Sequence, residues 1–464
     1  MSRLNVDCLV LVFNELRDKN SLYSCLLVNR EWCHLVVPIL WNNFSWCNVD
    51  EDESIFFDTI LSLLPSTSRQ FLSDNYIKLP SSIILKPPLF NYISFCKFPE
   101  ADAIKRITEM VLDFNSYDKR KRNLLEQEIY KLFISQCKNV KELSWINSQP
   151  LSQFPGASTC FSQLHSLFID LDYVNSNALH QMSNICRCLN TLIIYNCSQD
   201  LLELVFLIDS QRNLKNVNIY SNNNRRGNYK KLSKALAGKS NMIKHLHLNL
   251  NAKPSLSLVD LTDLSIFDCY SLNETREFQH YLSILKFPDL QSLYVTGSIY
   301  SYDLATLVQK TNGNILRAFF CGSNKEDVGI LIDAIAKNCR KIEILHISLC
   351  PTKFKHMVLL LNNCRNLVEL NLSNDSVYLN YNAGNDLLNI LAEYSPKSLT
   401  NITISYIWNF SPNVLERFFE SFRKQPLFYF HVKDSYYFED IYKIKVRKFI
   451  DEGVVKYSNI CSYS

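Results

Sequence analysis

One string recurs along this chain and limits what it can fold into. Apolar residues fall at relative positions 1, 4 and 6, and a small polar residue or cysteine follows at position 9. Clear copies are Leu189, Leu192, Ile194, Cys197; Leu214, Val217, Ile219, Asn222; Ile243, Leu246, Leu248, Asn251; Leu261, Leu264, Ile266, Cys269; and Ile342, Leu345, Ile347, Cys350. Looser copies start at Val140, Leu164, Leu290, Ile315, Leu367, Leu399 and Leu427, with a fainter one at Ile107. The twelve starts from Val140 to Leu427 are spaced by about 26 residues on average, a solenoid period. Positions 4 and 6 alternate as a short strand does, with both side chains facing one core. The spacing then turns helical, predicting helices over Leu201–Ile208, Glu326–Ala336 and Asp386–Tyr394. Strand plus helix, repeated, predicts an α/β solenoid with parallel strands inside and helices outside, because each unit buries its leucines only against its neighbours.

Cysteine enters the same frame. Cys137, Cys186, Cys339 and Cys364 each stand three residues before a position 1, so with Cys197, Cys269 and Cys350 seven of the sixteen cysteines are in register. With no secretory signal at the amino terminus and 47% hydrophobic residues, these read as reduced thiols used as small buried groups, in a cytoplasmic or nuclear protein. The apolar run Cys8–Phe13 is too short for a membrane span. This frame, C-x-x-L-x-x-L-x-L-x-x-C/N, resembles the cysteine-containing leucine-rich repeats of F-box proteins over roughly Lys138–Ser435. Spacing falls to 18 residues between Ile243 and Leu261 and rises to 32 between Leu367 and Leu399, where Asn371–Asn385 is expected to loop out.

Ahead of the repeats, Asn5 is placed to cap a helix carrying Leu9, Val12, Phe13 and Leu16, and Ser21 to cap a second with Leu22, Cys25 and Leu26. Val28, Trp32 and Leu35 line a third segment, which Pro38 is expected to interrupt. A unit this small seldom holds a core alone and calls for a partner surface. Leu4-Asn5-Val6-Asp7-Cys8-Leu9, Phe13, Leu16, Leu22, Val28-Asn29-Arg30-Glu31-Trp32 and Leu40-Trp41 resemble an F-box, with Asn5 and Asp7 standing where the family has proline and glutamate. The resemblance implies the substrate-receptor subunit of a cullin-type ubiquitin ligase. Leu4, Leu9, Phe13, Leu16, Leu22, Val28 and Trp32 would then divide between contact with a Skp-type adaptor and the module's core. A plain helical cap for the solenoid is the competing reading, and a repeat scaffold without a ligase role is the alternative function.

These readings divide the chain into a helical module (residues 1–46), a linker and cap (47–103), repeats (104–435) and a closing cap (436–464). Within them, Asp50–Glu53 and Leu64–Ser68 read as linker and loop, Pro88–Phe98 as a short capping helix, and Asp440–Val455 as the closing cap.

Other chemistry is not indicated. Nine scattered glycines form no phosphate-binding loop, and no C-x-x-C pair marks a zinc ribbon, so the chain is read as non-catalytic, without cofactor or metal. A net charge of +4, from 49 basic and 45 acidic residues, gives no field for nucleic acid. Lys119–Arg122 reads as a solvated stretch before a helix at Asn123 rather than an import patch. His245 and His247 share a strand face, yet the next strand-face histidine, His346, lies four repeats on, roughly 19 Å away at about 4.8 Å per strand, too far to complete a metal sphere.

Positions 3, 5 and 7 of each string lie off the core and are free for binding. They carry Asn216, Asn218, Tyr220, His245, His247, Asn249, Tyr294, Arg317, Phe319, His346, Glu369, Tyr429 and His431. Of these, Tyr220, His245, His247, Tyr294, Arg317, Phe319 and His346 are the candidate contacts to a protein substrate, since aromatics and arginine are favoured at protein interfaces. The bland reading is a solvated strand face.

Overall fold

The structure is a computed structural model, which describes residues 5–16, 18–42, 53–80, 88–112, 118–198, 200–221, 230–249, 261–267, 287–297, 299–322, 328–373, 383–405, 408–433 and 438–461. Two compact units share the chain: Met1–Asn196 with Leu201–Leu214, and Cys197–Asp200 with Lys215–Ser464. The division falls inside the repeats.

The first unit opens with three helices, α1 (Val6–Glu15), α2 (Lys19–Leu26) and α3 (Arg30–Asn42). Leu9, Phe13, Leu22, Val36 and Ile39 form their core, with Leu16, Cys25, Leu26, Trp32, Leu35 and Leu40 packed around it. Asp18, not Ser21, caps α2: its carboxylate accepts from the backbone N–H of Asn20 and Ser21 and from the Ser21 hydroxyl at 2.7 Å. An ionised carboxylate makes the stronger cap, and these bonds hold Asp18 below its ordinary pKa. Pro38 lies inside α3 without ending it. Trp41, near the end of α3, is stacked against Phe56 at 4.3 Å and Tyr92 at 4.5 Å. These rings tie the three helices to the segment that follows, so the module has its own core but not a free surface on that side.

The residues read as linker are largely helical. Helices cover Glu53–Ser62, Ser66–Asp74 and Ala101–Val111, with a short 3-10 turn at Tyr92–Phe95. Ile107 is therefore a buried helix position and not the start of a repeat. Pro65 is the N-cap residue of the second of these helices, where its missing N–H costs nothing. The basic run Lys119–Arg122 is the first turn of a long helix, Lys119–Gln136, capped by Asp118.

Thirteen strands are described. The first unit carries β1 (Glu142–Trp145), β2 (Ser166–Asp170) and β3 (Thr191–Tyr195), parallel and in sequence order. The second carries β4 (Asn216–Tyr220), β5 (His245–Asn249), β6 (Asp263–Phe267), β7 (Ser292–Thr296), β8 (Arg317–Cys321), β9 (Ile344–Ser348), β10 (Glu369–Ser373), β11 (Asn401–Ser405), β12 (Leu427–Lys433) and β13 (Val455–Ser458). These ten also pair in parallel, each with the next in the chain. Through β11 every strand begins two residues after a position 1, so positions 4 and 6 point inward and 3, 5 and 7 outward. The last strand falls in the residues read as a closing cap.

Helices alternate with the strands, at Ser176–Ile185, Leu202–Ser210, Ser301–Gln309, Val328–Asn338, Phe354–Asn363, Ala383–Tyr394, Pro412–Ser421 and Asp440–Asp451 among others. Of the expected loop at Asn371–Asn385, residues 374–382 lie outside those described; Asn371 belongs to β10 and Asn385 to a helix.

Two repeated hydrogen-bond devices fix the register. At the entries to β2, β3 and β5–β11 one backbone carbonyl of the preceding repeat accepts two N–H groups: Gln291, for example, from Leu316 and Arg317, and Leu316 from Glu343 and Ile344, each at 2.8 and 3.0 Å. The second device uses the residue three before position 1. The buried thiols of Cys186 and Cys364 donate to the carbonyls of Phe161 and Cys339 in the repeat before. Gln211 fills the same place before Leu214; its amide donates to the Cys186 carbonyl at 2.8 Å and its oxygen accepts the Leu189 N–H at 3.0 Å. Burial pushes Cys137, Cys186, Cys339 and Cys364 up to about 12, so these are inert structural thiols.

Candidate functional site

On β4–β13 the outward positions fall into rows, because parallel pairing aligns equivalent residues of successive repeats. The middle row runs Asn218, His247, Ser265, Tyr294, Phe319, His346, Asn371, Thr403, His431. Side chains of a strand stand roughly perpendicular to the sheet, and neighbouring strands lie about 4.8 Å apart, so rings in one row must stack. Tyr294 and Phe319 lie nearly parallel, with centroids 4.2 Å apart and planes 8° from each other. Phe319 meets His346 edge to face at 4.2 Å. Tyr220, from the next outward row, tilts against His247 at 4.8 Å. Three of the seven expected contact residues, Tyr294, Phe319 and His346, thus form one group, and Tyr220 and His247 form a second; strand β6 separates the two groups.

The adjacent row holds most of the charge and pairs part of it internally. It runs Asn216, His245, Asp263, Ser292, Arg317, Ile344, Glu369, Asn401, Tyr429. His245 Nδ1 lies 2.5 Å from the Asp263 carboxylate, and His346 Nε2 lies 2.8 Å from Glu369. Arg317 Nε donates to the Ser292 hydroxyl at 3.1 Å. Burial pulls His247 below its ordinary pKa. It does the same to His346, against the opposing pull of the bonded Glu369, and to His431, where Lys433 adds to the effect. These three imidazoles are therefore neutral at pH 7. Glu369 was legible as a position-3 residue, whereas its pairing with His346 across 23 residues of sequence was not.

Toward the last strands the face opens into a depression of about 380 Å³ lined by Thr403, Tyr429, Phe430, His431, Tyr457, Ser458 and Asn459. Burial raises the Tyr429 hydroxyl, which bonds Thr403 and Glu369. Tyr457, Ser458 and Asn459 carried no repeat signal. Their strand lacks the leucine start, and they are recognisable only by pairing with β12.

The amino-terminal helices divide the expected adaptor contacts. Leu9, Phe13 and Leu22 are core, with Phe13 only 1% exposed. Trp32 is half-buried against Phe13, edge to face at 4.9 Å, and Leu16 is partly buried. Val28 is exposed, and Leu4 lies outside the described residues. Sequence reasoning missed the exposed apolar side chains Val6, Leu11, Tyr23 and Leu27, the last 88% exposed, and it placed Val12 on the apolar face of α1, where the structure leaves it exposed. A signal was available for Leu11 and Tyr23, which fall off the core positions Leu9, Phe13 and Leu22 of α1 and α2.

Among the described residues no three His, Cys, Asp or Glu side chains are grouped to hold a metal ion, and no helix is long and apolar enough to cross a membrane. The arrangement defines a class: an α/β solenoid of leucine-rich-repeat type with an aromatic and histidine-bearing outer strand face. No family model matches the chain, and no curated protein matches it. Among solved structures, a chain in the crystal structure of the yeast Rad7 and Elc1 complex is similar to it, at 12% identity over 83% of this chain and 94% of that one, with a TM-score of 0.33.

Proposed function

We propose that this chain is a non-catalytic substrate receptor of a cullin-type ubiquitin ligase. In this reading α1–α3 dock a Skp-type adaptor, and the outward face of β4–β13 holds a protein substrate. One observation carries the adaptor half. Six apolar side chains, Val6, Leu11, Val12, Tyr23, Leu27 and Val28, stand in solvent on a module whose core already uses Leu9, Phe13, Leu22, Val36 and Ile39. Full burial of one such side chain is worth about 1.5–3 kcal/mol, so several left uncovered on one small module support a partner surface there. The substrate half is supported by the stacked Tyr294, Phe319 and His346, rigid groups that anchor interfaces at low entropic cost.

Affinity purification from cells tests both halves. Recovery of a Skp-type adaptor with a cullin, lost on Leu27→Asp while the thermal midpoint is unchanged, supports the reading. An adaptor without a cullin makes the chain a scaffold, and catalytic turnover by the isolated chain sinks the receptor assignment. Phe13→Ala is also expected to lose the adaptor, by unfolding the module, because deleting a large buried aromatic costs about 3–5 kcal/mol. Proximity labelling, compared with a chain lacking residues 1–46, then identifies the substrate.

A further inference from the structure

Tyr429 on β12 and Tyr457 on β13 are register partners, as Tyr294 and Phe319 are, yet among the described residues their two rings do not stack on each other. Each is engaged on its own side. The Tyr429 hydroxyl bonds Thr403 and, across β11, Glu369. The Tyr457 ring meets Phe428 edge to face at 5.4 Å, with the Lys456 ammonium 5.3 Å from its centroid. Between the two tyrosines lies the depression of about 380 Å³, whose lining also includes His431 and Asn459 and contains no acidic residue.

Positive charge stands at both ends of this depression. Lys433 follows His431 by two residues on the outward side of β12, so their backbones are roughly 6–7 Å apart. Lys456 stands at the other end, beside Tyr457. Both lysines are exposed, and among the described residues neither is held in an ion pair. Glu369 already accepts from His346 at 2.8 Å and from Tyr429, on the far side of the Tyr429 ring. Asn459 fixes the form of His431. Its amide is oriented by Val432, whose N–H donates to Oδ1 at 2.9 Å and whose carbonyl accepts from Nδ2 at 2.7 Å. The other Nδ2 hydrogen is then directed at His431 Nε2, 3.4 Å away, which leaves the ring proton on Nδ1 as a donor.

We propose that this depression binds an acidic segment of the protein substrate, with one Asp or Glu side chain entering between Tyr429 and Tyr457. The inference rests on the outward face being the substrate-binding surface. A carboxylate can only accept hydrogen bonds, and the site supplies donors in His431 Nδ1–H and the two lysine ammoniums. A Lys or Arg side chain would instead meet two like charges, while an uncharged one would gain no charge-assisted bond from them.

The test pans a random-peptide phage library on the full-length chain. Selected peptides are then made with amidated carboxyl ends, so that only side-chain carboxylates are presented, and measured by fluorescence polarisation. They are expected to be rich in Asp and Glu, and replacing the critical acid by its amide should weaken binding about tenfold. Lys433→Gln and Lys456→Gln should each cost about fivefold, the upper end for an exposed ion pair. Lys433→Glu with Lys456→Glu, which adds repulsion, should cost more than about thirtyfold while the thermal midpoint stays that of the parent. Lys424→Glu, an exposed lysine that does not line the depression, is the control and should bind normally. Selected peptides without acidic residues, undiminished binding by the folded double charge reversal, or an equal loss on Lys424→Glu overturns the acidic site. Peptides that ignore the double reversal but lose binding on Phe319→Ala leave the face as the substrate surface and sink the depression alone. A library yielding no peptide sensitive to either variant overturns both.

Discussion

The register places Leu345 and Phe319 on opposite sides of the same sheet, one strand apart, and truncating each to alanine should give opposite results. Leu345 is fully buried on β9, between Ala318 on β8 and Leu370 on β10. Ala318 is already the smallest side chain in that inward row and Leu370 is itself fully enclosed, so neither can move to fill the space. Leu→Ala at a site that cannot collapse costs about 3 kcal/mol or more, within the range of about 2–5. For a body of 150–250 residues each kcal/mol lowers the melting temperature by roughly 2–4 °C, so Leu345→Ala should melt about 6–12 °C below the parent. Phe319 is half-buried and loses mainly its stacking with Tyr294 and His346, worth about 1 kcal/mol, or about 2–4 °C. Differential scanning calorimetry measures both midpoints, and capture of the substrate identified by proximity labelling gives the second readout. Phe319→Ala should bind poorly and melt almost normally, while Leu345→Ala should do the reverse at temperatures where it stays folded. Equal destabilisation by the two substitutions would refute the assignment of inward and outward positions on which the candidate site depends.

Three further outcomes are expected. His247, His346 and His431 have folded-state pKa values pulled below the ordinary 6.5 by burial, so the unfolded chain takes up these protons first; the associated stability is fully present above about pH 6.5 and is lost as pH falls through the folded values, and melting curves between pH 7.5 and 5 should show a drop that His247→Gln with His346→Gln reduces. A Cβ at Gly384 would lie 2.2 Å from the Asn409 carbonyl oxygen and 2.5 Å from that of Trp408, so Gly384→Ala should cost about 3 kcal/mol; Gly329→Ala, which meets only the His356 ring, should cost less in the same calorimetric assay. Thiol titration of the native protein should label Cys8 and Cys321, which are exposed, and leave Cys137, Cys186, Cys339 and Cys364 unreacted until the chain is unfolded.

The sequence determined the repeat and its consequences. Leucine spacing located twelve strand starts because positions 1, 4 and 6 must all reach one core, and that local requirement is written in residue type. It likewise marked positions 3, 5 and 7 as outward, and so marked Tyr220, His245, His247, Tyr294, Arg317, Phe319 and His346. It did not mark β13, whose Val455 and Tyr457 alternate without a leucine start, nor the helices over residues 53–74 and 101–111, where polar residues and Pro65 masked the helical period. It misjudged Pro38, because packing of Val36, Val37 and Ile39 holds α3 together across the proline. Tertiary structure alone decided which outward residues meet. His245 and Asp263 are 18 residues apart and His346 and Glu369 are 23 apart; the repeat frame puts each pair on neighbouring strands, and only the folded side chains decide that they bond. Loop lengths vary from repeat to repeat, and contact between strands depends on register across those loops, so the ring stack at Tyr294, Phe319 and His346 exists only once parallel pairing has aligned the rows.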